Sequence, residues 1–201
     1  MEDQMEYGKV KLESVPGLIN VKQAVAMAKA AGKFLLFERE GEHYFVTLNF
    51  MLHLNPKDAF KLRCKLDIEQ LGYWCEIQKG ETVQGTVPVD TEKFYADYVG
   101  WILQAENVGQ PLTLTGLMIA EYNHQETQYL LAVGPGGYTA LQKGQIAMIV
   151  AGGDMRRVGN CVVVDGQQVI SVMPDEVWRG TPYLVKVKNR DMAAEAEDGE
   201  D

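Results

Sequence analysis

From Leu112 onward the chain repeats one pattern, a short apolar or alternating segment followed by a turn rich in Gly, Asn or Asp. The segments are 112–122, 128–133, 138–141, 145–151, 160–165 and 169–173. The turns carry Asn123-His124, Gly134-Pro135-Gly136-Gly137, Lys143-Gly144, Gly152-Gly153-Asp154 and Asp165-Gly166. Segments this short can bury an apolar face only by pairing with one another, so the pattern predicts an antiparallel β-rich half, a small barrel or a sandwich. Asp165-Gly166, between Val162–Val164 and Val169-Ile170, is the strongest hairpin signal, because the tightest hairpin turns need residues that tolerate positive φ. A last alternating segment, 183–187, is placed to close the sheet edge.

The first half reads as mixed helix and strand. Asn20 can cap a helix over 21–31, with Gln23 in the capping-box position and Gly32 placed to end it. Residues 34–37, a charged turn at 38–41 and a returning segment at 43–48 predict a hairpin. Asn55 followed by Pro56 is the clearest helix start in the chain, since proline's missing N–H costs nothing at the first helical position. Phe60, Cys64, Ile68 and Leu71 follow at helical spacing, with Leu62 and Leu66 alongside and Gly72 as the exit. Residues 73–77 read as a strand turned by Lys79-Gly80, and 82–89 can pair back. A helix capped by Asp90 or Thr91 runs to about Ala105, with Phe94, Tyr95, Tyr98, Ile102 and Ala105 on its apolar face.

The expectation is therefore an α+β fold. Its N-terminal half has about three helices and two hairpins, and its C-terminal half is antiparallel and β-rich. Residues 1–109 form the α+β region, as two strand–strand–helix units at about 33–72 and 73–107 without residue-level identity. Residues 110–190 form the β-rich region, and 191–201 an acidic tail read as disordered. One continuous domain over both regions is the alternative.

Charge and cysteine usage narrow the function. Asp and Glu number 28 against 19 Lys and Arg. The last eleven residues hold six of those acids and no base, so the remainder is close to balanced at 22 acids and 19 bases. With no concentrated Lys/Arg stripe, direct binding to DNA or RNA is disfavoured. Cys64, Cys75 and Cys161 are odd in number and far apart, which fits reduced thiols in a cytoplasmic setting better than a disulfide framework. The acidic N-terminus lacks the basic and apolar regions of a signal peptide, and no apolar run reaches the length of a membrane span.

No catalytic constellation stands out. His43, His53 and His124 do not cluster, no pair of cysteines has zinc-ligand spacing, and the Gly-rich stretch at 134–137 lacks the ending of a phosphate-binding loop. No cofactor, metal or catalytic residue is assigned. Asp90, Glu92 and Asp97 read as acids complementing a helix dipole. Two features invite binding. In the first, an apolar segment runs into Gly152, Gly153, Asp154 and the pair Arg156 and Arg157. Glycines permit close backbone approach and guanidiniums match phosphate or carboxylate, so these residues are the candidate site for an anionic metabolite or nucleotide. The plainer reading is a hairpin loop with solvated charges. The second is Trp178 beside Arg179, the composition of an interface anchor, against a tryptophan plugging the core edge.

The reading that follows is a non-enzymatic acidic protein that engages a protein partner with a basic surface. One version is an accessory or inhibitor protein of a mobile element, occupying the basic groove of a nucleic-acid-processing enzyme; charge alone motivates it. The alternative is a small-ligand-binding domain using the arginine pair. An enzyme assembled from distant residues is the third.

Overall fold

The computed structural model describes residues 18–120, 128–149, 153–174 and 184–187. The first helix, α1 (Val21–Ala31), is capped by the Asn20 side chain, which accepts the Gln23 N–H at 3.2 Å, and ends at Gly32, whose φ of +74° is the left-handed stop glycine tolerates. Three strands follow: β1 (Lys33–Arg39), β2 (Glu42–Val46) and β3 (Phe50–Leu54). Glu40 and Gly41, both at positive φ, make the tight turn between β1 and β2. Helix α2 (Pro56–Lys65) starts as expected, with Asn55 accepting the Asp58 N–H at 2.8 Å. Then come the hairpin β4 (Tyr73–Gln78) and β5 (Glu81–Pro88), and the long helix α3 (Glu92–Val108). The second half supplies β6 (Gln110–Ala120), β7 (Gln128–Gly134), β8 (Gly137–Gln142), the short helix α4 (Lys143–Met148), β9 (Met155–Val158), β10 (Cys161–Val164), β11 (Gln168–Ser171) and β12 (Leu184–Val187).

The class is α+β, and among the described residues every strand pairing is antiparallel. Eleven strands lie in one hydrogen-bonded path, β5-β4-β1-β2-β3-β11-β10-β9-β6-β7-β8, and β12 pairs with β6. This corrects the expected small barrel or sandwich: the sheet is open. Strand β8 does return beside the chain after β11, but only through the bridge Leu141↔Val172 and the Met173 N–H donated to the Ala140 carbonyl at 3.0 Å. One bridge is not a ladder.

The seam between the two halves of the sequence is β3 against β11, with Met51 opposite Val169. Gln168 rivets it. Its buried amide accepts the His53 N–H at 3.1 Å and donates to the His53 carbonyl at 3.0 Å.

Alternation along the strands sends side chains to two faces. One face carries Phe34, Leu36, Phe45, Phe50, Leu52, Val162, Val164 and Ile170 and is covered by α1, α2 and α4. The other carries Leu35, Phe37, Tyr44, Val46, Met51, Val163 and Val169 and is covered by α3.

Several local expectations are corrected. The segment 145–151 was expected as a strand, yet Lys143–Met148 is helix α4. A short apolar run is ambiguous by periodicity, and here Gln145 and Met148 point inward one turn apart. The Met148 carbonyl accepts the Asn20 N–H, and Gln145 Nε2 donates to the Asn49 carbonyl at 3.0 Å. Strand β3 was not foreseen. Helix α2 ends at Lys65, well short of Gly72, and turns Ala59 and Leu62 to the core, leaving Phe60 and Cys64 exposed. The Phe60–Cys64 stripe is thus the wrong face, and Cys64 is not a core residue.

Candidate functional site

Among the described residues helix α3 lies alone across its face of the sheet, and a cleft opens on each flank. Phe94, Asp97 and Trp101 fall within one stripe at helical spacing and wall the first, a cavity of about 250 Å³. Its floor is Val46, Met51 and Val169, and its lip is the β2–β3 turn. The turn is shaped by Thr47, whose N–H donates to the Phe50 carbonyl at 2.9 Å and whose hydroxyl accepts the Asn49 N–H at 3.1 Å. That geometry thrusts Leu48 outward, 80 % exposed. Phe94 is held edge-on against Trp74 with ring centroids 5.7 Å apart. Cys161 also lines the cleft, but burial pushes its thiol pKa up, so it is a wall rather than a nucleophile.

Ile102, Ala105 and Glu106 wall the second cleft, about 490 Å³, against Asp154, Arg156, Val163 and Asp165. Asp165 and Gly166 form the positive-φ turn between β10 and β11. The Asp165 carboxylate accepts the N–H groups of Gly153 at 3.2 Å and Asp154 at 3.0 Å. Arg156 is paired with Asp154, Nε to Oδ2 at 2.8 Å. Three carboxylates and one guanidinium thus line the cleft, which presents net negative charge.

The structure separates the residues singled out from sequence. Arg156 and Arg157 are successive residues of β9, not a loop, so their side chains leave opposite faces of the sheet. Arg157 Nη1 donates to Thr139 Oγ1 at 2.9 Å and its Nε to the Gly159 carbonyl at 3.1 Å. The two guanidiniums do not converge on one ligand. Gly153 borders the second cleft through its bond to Asp165. Gly152, Trp178 and Arg179 lie outside the described residues, as does His124.

His43 and His53 sit on opposite faces, because His53 is registered with Tyr44 and His43 with Leu54. His53 stacks on Tyr44 with centroids 5.3 Å apart, and its Nε2 lies 2.8 Å from Glu42 Oε2. Burial first, then the nearby Tyr95 and Glu42, pushes the Tyr44 phenol up to about 12, so it stays protonated at neutral pH. Among the described residues no three His, Cys, Asp or Glu side chains are grouped to hold a metal ion. Asp90 accepts the Glu92 N–H at 3.1 Å, Glu92 pairs with Arg39, and Asp97 faces the first cleft.

Sequence reasoning missed the first cleft altogether. Residue 48 was read as the end of a strand, although an apolar side chain just before Asn49 was the available sign of a protruding turn. No protein-family model, curated protein or solved structure matches the chain.

Proposed function

We propose that this chain is a non-enzymatic binding protein that engages a basic protein partner across the α3 face. The observation that carries the reading is the pair of clefts flanking α3, one apolar with Leu48 standing at its lip, the other ringed by Glu106, Asp154 and Asp165. A partner would seat an apolar side chain between Trp101 and Met51 and a Lys or Arg beside Asp154 and Glu106. Apolar burial with an acidic rim gives affinity and orientation together. An inhibitor of a nucleic-acid-processing enzyme would present this chemistry to a basic groove. The free thiols of Cys64, Cys75 and Cys161 suit a reducing, cytoplasmic setting. The second reading, an anionic small ligand at Arg156, is not favoured, because Asp154 already pairs with that guanidinium and the surrounding carboxylates repel an anion.

The test is quantitative affinity capture from source cells with three baits: the wild-type chain, Leu48→Asp, and Val87→Asp on the far edge strand β5, where Val87 is also exposed. Both substitutions are at exposed positions and should leave folding intact. Under this reading one specific protein is lost with Leu48→Asp and kept with Val87→Asp. Equal recovery with all three baits rejects the α3 face.

A further inference from the structure

The surface that α1 and α2 turn to solvent is basic in an acidic chain. On α2, Lys57, Lys61 and Lys65 recur every four residues, so helical register gathers lysines that are scattered in sequence into one stripe. Lys22 and Lys29 add two more on α1, which packs beside α2 on the same face of the sheet. Lys22, Lys29, Lys61 and Lys65 are exposed and Lys57 is half-buried. Among the described residues none of the five forms an ion pair. Helix α1 contains no acid, and the one acid of α2, Asp58, is buried, where it accepts the Leu18 N–H at 2.9 Å. Asp67 and Glu69, the next acids along the chain, come only after the helix has ended.

Like charges four residues apart repel along a helix, so the stripe costs stability unless an anion lies along it. The opposite side of the sheet is the reverse in sign, since α3 carries Glu92, Asp97 and Glu106 against Lys93. The chain itself supplies a matching anion. Residues 191–201 hold six acids and no base, whereas residues 1–17, the other long stretch outside the described residues, hold four acids but also Lys9 and Lys11. Strand β12 ends at Val187, opposite Leu117 of β6. Five strand spacings, about 24 Å, separate β6 from β2, on which α2 rests. Residues 188–201 span up to about 46 Å when extended, enough to bring the acids round the sheet to the lysines.

We propose that the acidic segment 191–201 docks on the lysine face of α1 and α2 within its own chain. Its carboxylates lie along the Lys57–Lys61–Lys65 stripe and relieve the repulsion there. Each exposed ion pair is weak and screened by salt. Several pairs formed at once within one chain act at a high effective concentration, so the segment needs no pocket to stay on this face. Another polyanion must displace it to reach the lysines. The contact lies on the other side of the sheet from the clefts beside α3 and is independent of them.

The test compares amide NMR shifts of the full chain at low salt with those of a chain ending at Arg190. Removal of 191–201 should shift the amides of α1 and α2 and leave those of α3 in place. Raising the salt to about 1 M, where the screening length falls to about 3 Å, should abolish the difference between the two chains. Lys57→Gln, Lys61→Gln and Lys65→Gln together should abolish it over α2. Glutamine matches lysine in helix propensity, and unchanged amides in β3 and β11 would verify the fold of that variant. Identical α2 amides in the full and shortened chains at low salt overturn the proposal, as does a difference that survives the three substitutions. A difference that grows with protein concentration puts the segment on a second copy of the chain and overturns the intramolecular contact.

Discussion

The two faces of the sheet are built on one set of strands and covered in different ways. Beneath α1, α2 and α4 the core has 25 buried residues and six partly buried ones among those described. Beneath α3 nine are buried and nine are only partly so. Strand alternation supplies apolar side chains to both faces, so the difference lies in the cover. Among the described residues three helices meet edge to edge on the first face, whereas a single helix of 17 residues, about 25 Å long, shields the second. What it leaves uncovered at its flanks becomes cleft. Stability concentrates on one face and access on the other.

Direct truncation sharpens that contrast most. Phe45 is fully buried, 5.8 Å from the Phe34 ring and 5.9 Å from Phe50. Phe45→Ala should destabilise by about 3–5 kcal/mol in urea unfolding, whereas Trp101→Ala on the α3 face should cost no more than about 1.5 kcal/mol. Similar losses at both sites would break the comparison and show α3 to be as well packed as its counterparts.

Gln168→Ala tests the seam on which both faces depend. Loss of both bonds to the His53 backbone should lower stability by about 1–3 kcal/mol, and amide exchange at His53 should accelerate more than at Val163 in the sheet interior. Unchanged exchange at His53 would mean that the ladder between β3 and β11 holds without the rivet. Asn55→Ala removes the cap of α2 and should cost about 1 kcal/mol, seen as earlier melting of the three-helix face. A shift below the error of the melting curve would show that packing alone sets the start of that helix.

The smallest effect is a pH dependence confined to the alkaline side. Burial on the three-helix face pushes the Cys75 thiol up to about 11, above its ordinary value of 9.0. Below about pH 9 the thiol is protonated in both folded and unfolded chains and contributes nothing. As pH rises past 9 the unfolded chain ionises first, so stability should fall through the interval up to about 11. Cys75→Ala should lessen that slope most between about pH 9 and 10, before the raised Tyr44 phenol adds a fall of its own. At pH 8 a thiol reagent should modify exposed Cys64 rapidly and buried Cys75 only after unfolding. Equal rates would place Cys75 at the surface and undo the assignment of its face.

Much of the local structure was legible because its causes are local. Asn20 with Gly32, and Asn55 with Pro56, mark helix starts and stops through bonds made within a few residues. Lys79-Gly80 and Asp165-Gly166 declare their hairpins because both members of each pair adopt positive φ. The candidate sites were much less legible. Arg156 and Arg157 looked like a converging pair until strand alternation parted them, and Phe60 looked buried until α2 turned its other side to the sheet. In each case the neighbour that decided the matter is distant in sequence.

The amino-acid sequence by itself determined where α1, α2 and α3 and the β1–β2, β4–β5 and β10–β11 hairpins begin, and that the class is α+β, since dihedral preference and capping act between near neighbours. Only the tertiary structure decided that β3 would meet β11, that 143–148 would be helix, and that the sheet would stay open. It alone left α3 flanked by clefts. Those outcomes depend on which surfaces compete for the same apolar partners, and burial couples residues irrespective of their separation along the chain.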